Sequence, residues 1–340
     1  MASHPKLDIE TVILVADVYQ HDASDLCPEN RRDLEKSSPE TIAAIRQGIV
    51  DLGLETLHIG SLDELYKRAA QRKAGDIVLS IFGGERSRNR MALVPAICES
   101  LEMRFIGPDT YGRIVCQDKS ISKKLAIDCG VPTPAHALVR TMADLERLSP
   151  RRFPVVVKPN VEGSSIGISQ RSVVRDHSQL RVVGQSVLAE FGQPIIVEEF
   201  VAGREVSFNI IETSVGNHER FAEVRLIAKP DYFDDHLFSA DIKAPWDSLE
   251  VVPLENLLID SDREAIRRLA EAVGDLGYCR VDGKLLNGRF QFLELTPDAW
   301  LDPRGVFAIS FTQTGWSYPM LLAHVLASEP EARRHRASND

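Results

Sequence analysis

The sequence predicts an α/β protein of two or three compact units that opens with a parallel sheet. Three observations carry that expectation. At 340 residues the chain is too long for one small core. Apolar β-rich runs alternate with helical periodicity through the first hundred residues, the pattern of a parallel sheet with covering helices. Near the far end an Asn-Gly pair separates two strand-like runs, the signature of a β-hairpin.

Residues 11–18 (TVILVADV) read as a buried parallel strand. Ser38 and Pro39 then open a helix as N-cap and first-turn proline, and Gly53 closes it. ETLHIG and DIVLSIF are further strands, with helical patterns between them and at RMALVPAICESL, and the unit ends near Gly107-Pro108. A lysine-rich helix (DKSISKKLAIDCG) follows. The strand FPVVVKPN runs straight into EGSSIGISQ, and IIVEEFV leads through Gly203 into REVSFNII. A helix from about Asp262 to Gly277 precedes CRVDGKLL-NG-RFQFLEL. The last ten residues are charged and lack apolar periodicity, so a flexible tail is expected.

Composition narrows the function classes. A net charge of -10 disfavours nucleic acid and anionic membranes, which demand basic surface, yet leaves room for a local phosphate pocket. No run approaches the roughly 18 apolar residues of a membrane span. The first residues lack a basic stretch followed by a long apolar run, so no signal peptide is expected. The five cysteines are scattered and odd in number, which fits reduced thiols in a cytoplasmic protein.

Three constellations carry chemistry. In VVVKPNVEGSSIGI a strand delivers Lys158 and a Gly-Ser-Ser-x-Gly loop follows. Glycines let backbone N–H groups approach phosphate oxygens, serine hydroxyls add donors, and lysine adds charge. A bare Gly/Ser loop reads more readily as an exposed turn after an edge strand; the attached Lys-Pro-Asn-x-Glu shifts the balance to phosphate. In PIIVEEFVAGREVSFNII, Glu198 and Glu199 end an apolar strand and Glu205 follows a glycine turn. That is either a solvated strand end or an adenine hinge with a ribose-binding acid. Finally, Arg280 and Asp282 precede Glu294 and Thr296 on the two arms of the hairpin. Carboxylates on adjacent strands suit Mg²⁺, and Arg280 would share a strand face with Asp282. The alternative is a structural ion-pair network. A strict two-residue Asn287-Gly288 loop would pair Asp282 with Leu293 and turn Asp282 and Glu294 to opposite faces. A shared metal therefore requires a bulge, most simply at Gly288.

In this order the pieces resemble the ATP-grasp ligases, and within them the D-alanine–D-alanine ligase group, from about Gly107 to Leu326 with weaker similarity before it. The resemblance implies an ATP-grasp fold of three subdomains: an N-terminal α/β domain (1–107), then a central (108–197) and a C-terminal (198–330) α+β subdomain clamping ATP, and a tail (331–340). It implies ATP and Mg²⁺ as cofactors. Lys119 and Lys158 would bind phosphates, and Ser164 and Ser165 would close over them. Glu198, Glu199 and Val201 would form the adenine hinge with Glu205 on the ribose, and Val156 and Leu293 would also bind the nucleotide. Arg280 would steady the oxyanion, and Lys243 would reach the γ-phosphate from a mobile loop. Asp282, Glu294 and Thr296 would hold the metal.

The departures are specific. The third metal ligand is usually an asparagine and is Thr296 here, with Asp298 nearby to help; Ala244 stands where a tyrosine normally follows the loop lysine. The acceptor-carboxylate serine aligns near Gly305, beside Arg304, and Glu35 is the stand-in for the glutamate that manages the first substrate's amine. Trp300, Arg304 and Trp316 bring bulk and charge towards the acceptor side. The expectation is an ATP- and Mg-dependent carboxylate–amine ligase acting through an acyl phosphate. Its substrates would be small molecules, one of them amino-acid-like, in specialised metabolism rather than two D-alanines. A cell-wall D-alanine–D-alanine ligase and a non-catalytic nucleotide-binding protein are the competing readings. The resemblance also implies a homodimer.

Overall fold

The structure is a computed structural model that describes residues 5–19, 33–85, 87–214, 216–239, 242, 248–255 and 258–330. The expected flexible tail, Lys243 and Ala244 lie outside those residues.

The parallel sheet opens the chain as the alternating pattern requires. Strands β1 (Thr11–Val15), β2 (Glu55–Ile59) and β3 (Asp76–Ser80) pair in the order β2-β1-β3, all parallel. Every residue of β3 is buried, which explains the consecutive apolar Ile77, Val78 and Leu79 at its centre. The helix Pro39–Val50 starts as read: Ser38 accepts from the Thr41 N–H and Pro39 occupies the first turn. Its Gly48 faces Leu322 and Tyr318 of the helix Tyr318–Ala327, so the core beneath this sheet includes C-terminal residues such as Phe307, Leu321 and Leu322.

The central sheet is antiparallel. β4 (His136–Val139), β5 (Val155–Pro159), β6 (Val173–Val174) and β7 (Ile195–Glu199) run in the order β4-β7-β5-β6. The helix His177–Phe191 covers β5, β6 and β7 on one side and ends at left-handed Gly192.

The third sheet carries β8 (Arg204–Thr213), β9 (Gly216–Leu226), β10 (Leu249–Leu254), β11 (Tyr278–Leu286) and β12 (Arg289–Thr296), ordered β10-β9-β8-β11-β12. The helix before β11 spans Asp260–Val273 and stops at Gly274 (φ 112°) rather than at Gly277. Asn287 and Gly288 form the two-residue turn, with φ of 51° and 75°, and Leu286 pairs with Arg289. The bulge is not at Gly288. It lies deeper, where Asp282 pairs with Glu294 and Gly283 with Phe292, leaving Leu293 as the extra residue. Only glycine fits beside it, because a Cβ on Gly283 would collide with the Gln291 carbonyl and lie 2.5 Å from the Phe290 ring.

Candidate active site

Because side chains alternate along a strand, the Leu293 bulge decides what the third sheet presents. On one face stand Glu205, Ser207 and Asn209 of β8, opposite Lys284, Asp282 and Arg280 of β11, with Glu294 and Thr296 of β12 beside them. Asp282 is the hub. Its Oδ1 accepts from Ser207 Oγ at 2.6 Å and from Arg280 Nε at 2.7 Å, and its Oδ2 accepts from Thr296 Oγ1 at 3.3 Å. Burial alone would weaken the Arg280 guanidinium's hold on its proton, but Asp282, together with Glu294 and Glu205, more than offsets this and the pKa is raised. Glu205 pairs with buried Lys284 at 2.8 Å.

Two facing carboxylates fit Mg²⁺, which is held by one or two protein carboxylates and completed by phosphates and water. No group of three or more His, Cys, Asp or Glu side chains suited to a metal occurs among the described residues. Thr296 already sits against Asp282 and is the neighbouring oxygen. Asp298 is elsewhere: it forms a buried ion pair with Arg113, so it is corrected from metal helper to structural partner.

The central sheet adds the cations. Lys158 Nζ lies 2.5 Å from Glu198 Oε1, and Lys123 Nζ lies 2.9 Å from Glu198 Oε2. Burial opposes the charge on Glu198, yet the two ammonium groups outweigh it and bring the carboxyl down to about 2. Burial in turn lowers Lys123 to about 8. Lys123 was missed in the sequence. Its signal was the spacing from Lys119, since residues four apart share a helix face. It also donates to Thr133 Oγ1 and the Phe292 carbonyl, tying the helix Lys119–Asp128 to β12. Val156 pairs with Glu198 across β5 and β7, Glu199 and Val201 are half-buried at the end of β7, and Leu293 is the bulge residue.

The serine loop joins the two sheets. Ser164 and Ser165 both adopt left-handed backbone (φ 49° and 62°), an uncommon conformation for side-chain-bearing residues that surrounding contacts must hold. Ser165 Oγ donates to the Phe238 carbonyl at 2.9 Å. Lys119, nearly buried, donates to the Glu162 carbonyl and lies 3.5 Å from Glu294 Oε2. Asn160 explains the Lys-Pro-Asn pattern: its Oδ1 accepts from the Ser120 N–H and its carbonyl from the Lys119 N–H, seating that helix.

On the substrate side, Glu35 reaches the serine loop and accepts from the Gly163 N–H at 2.7 Å. Burial raises its pKa, partly countered by Arg90, which bonds both Glu35 and Glu162. Arg90 was also missed, because residues 35, 90 and 162 meet only in the fold. Gly305 heads the helix Val306–Thr312, and Arg304 pairs with Asp302 (Nε to Oδ1 2.9 Å), which also accepts from Thr41 Oγ1 at 2.6 Å. Trp316 does not stand with them as a pocket wall. It stacks on His324 (ring centroids 4.2 Å apart) and meets His218 edge-on at 5.0 Å, so its role is packing.

Residues 129–327 match the family described as "D-ala D-ala ligase C-terminus". A D-alanine–D-alanine ligase of Thermotoga petrophila is 27% identical over 84% of this chain and 89% of its own length. Protein y4sG of Sinorhizobium fredii, described as uncharacterized, is 32% identical over 75% of this chain and 74% of its own. Two solved structures share the fold. D-alanine–D-alanine ligase from Bacillus anthracis, complexed with ATP, gives a TM-score of 0.70 at 18% identity, covering 96% of this chain and 99% of that one. The VanG D-Ala:D-Ser ligase from Enterococcus faecalis gives 0.69 at 16% identity, covering 94% and 99%.

Proposed function

Because the chain belongs to the D-alanine–D-alanine ligase family of ATP-grasp enzymes, and is an ATP-dependent, ADP-forming carboxylate–amine ligase, we propose that it condenses two D-alanines, the pair named for its relatives. The expectation of another pair in specialised metabolism gives way on this point, since relatives that align over most of the chain bear the D-alanine name.

The observation that supports the catalytic reading is the one sheet face on which Arg280 and Asp282 of β11 meet Glu294 and Thr296 of β12, with Lys119 3.5 Å from Glu294. Lys119 and Lys158 would meet the phosphate oxygens, and the serine loop would cover them. A carboxylate oxygen attacks the γ-phosphorus and the bond to ADP breaks. The amine then attacks the acyl-phosphate carbonyl and phosphate leaves, with Arg280 stabilising the oxyanion. Asp282 and Glu294 would hold Mg²⁺ with Thr296 beside them, and the bound ion supplies positive charge to the phosphate oxygens. Glu35, at the serine loop, would receive the donor's amine, and Lys243 would complete the γ-phosphate contacts.

A different acceptor is the second reading, favoured by Gly305, which brings no hydroxyl, and by the Arg304–Asp302 pair beside it. No helix among the described residues is long and apolar enough to cross a membrane. A homodimer in the cytoplasm completes the proposal, and sedimentation reads its mass. The deciding assay is purified protein with ATP, Mg²⁺ and D-alanine, scored for ADP and for dipeptide by mass. Dipeptide matching ADP supports the reading. Amide formed only with another amine moves the assignment to the second reading, and ADP release with no carboxylate–amine pair at all contradicts both.

A further inference from the structure

Arg90 performs a task that the ligase chemistry above does not use. It follows the Gly83-Gly84 turn, whose two N–H groups donate to the Asp17 carboxylate at 2.8 and 3.0 Å at the end of the first sheet. Its guanidinium bonds Glu35 and also Glu162, the latter at 2.9 Å. The Arg90 and Glu35 side chains are each 8% exposed and Glu162 is 16% exposed, so water screens the triad little. Both acids act on the serine loop. Glu35 accepts from the Gly163 N–H, and Glu162 immediately precedes Gly163, held also by Gln193 Nε2 at 2.6 Å. The next two residues are the left-handed serines, whose strained backbone persists only while its surroundings determine it.

We propose that Arg90 is a positioning residue that clamps the serine loop to the first unit through Glu35 and Glu162, and that this clamp keeps ATP cleavage coupled to amide formation. The coupling part rests on the ligase reading; the clamp itself does not. Without Arg90, two carboxylates face each other with no shared cation, and the loop is pushed from its seat. Water then reaches the acyl phosphate. Its oxygen bonds the carbonyl carbon, the carbon–oxygen bond to phosphate breaks, and the products are the original carboxylate and inorganic phosphate. The net change is ATP plus water to ADP plus phosphate, with no amide.

Two measurements on full-length Arg90→Gln test this. Hydrogen exchange compares Gly163–Ile168 amides with those of Val155–Lys158 as an internal control. Loop exchange should rise about tenfold or more while the strand amides stay protected. Stoichiometry with ATP, Mg²⁺ and D-alanine should show amide per ADP near one in the wild type and at least about twofold lower in the variant. Both contacts come from one nitrogen, Nη2, so Arg90→Lys keeps the charge on a shorter side chain and should fall between. Glu162→Gln added to Arg90→Gln removes the repulsion and should return part of the protection. Loop exchange unchanged in either Arg90 variant, or rising only in step with the strand amides, overturns the clamp. A wild type with no amide product refutes the ligase reading, while the exchange result still decides the clamp.

Discussion

Glu198 shows how much one buried carboxylate is asked to do. It holds Lys123 and Lys158 together, and its pKa of about 2 lies below the ordinary 4.5. A carboxyl that titrates lower in the folded chain contributes stability above about pH 4.5 and loses it as pH falls towards 2. The shift corresponds to roughly 3 kcal/mol. The urea midpoint should therefore drop between pH 5 and pH 3, and Glu198→Gln should be less stable at pH 7 with a flatter profile in that window. Lys158→Ala removes the expected phosphate cation and should weaken Mg-ATP binding by about 1.5–3 kcal/mol, read by calorimetry. Thr296→Asn tests the metal assignment from the other direction. A carboxamide oxygen beside Asp282 and Glu294 should lower the Mg²⁺ concentration for half-maximal activity by a few-fold, and an unchanged Mg²⁺ dependence would remove Thr296 from the ligand set. Lys158, Glu162 and the serine loop were legible in the sequence because they are contiguous. Lys123 and Arg90 were not, because their partners arrive from distant segments.

At the scale of the element, the hairpin decides whether the site exists. Asn287-Gly288 announced its turn correctly, since both residues tolerate positive φ. The bulge had to exist for the two acids to share a face, and that requirement was visible from counting. Its position at Leu293 was not, because it is set by the close approach of Gly283 to Gln291 and Phe290, a packing fact. Gly283→Ala should cost about 1–3 kcal/mol of stability through overpacking, measured by urea unfolding. It should also shift the register of Asp282 against Glu294 and so impair Mg²⁺ activation. Full Mg²⁺ activation in a folded Gly283→Ala protein would separate the bulge from the metal site.

Over the whole molecule, the three sheets meet around the serine loop. The first unit reaches it through Glu35 and Arg90, the central sheet supplies Lys158 and the loop itself, and the third sheet supplies Asp282, Glu294 and the Lys119 contact. The α/β order and the ATP-grasp class were legible because periodicity and spaced motifs are local. The substrate was less so. Gly305 and Ala244 suggested a rebuilt pocket, whereas the relatives carry the D-alanine name, and one missing hydroxyl does not reveal which neighbour replaces it. If ATP activates a carboxylate, an oxygen of that carboxylate must leave with the phosphate, and isotope labelling follows it. The donor is supplied with both carboxylate oxygens labelled with ¹⁸O, together with Mg-ATP and amine, and the released phosphate is weighed by mass spectrometry. One labelled oxygen should pass to inorganic phosphate for each amide formed, with ADP as the nucleotide product. Unlabelled phosphate, or label recovered in AMP, would contradict it.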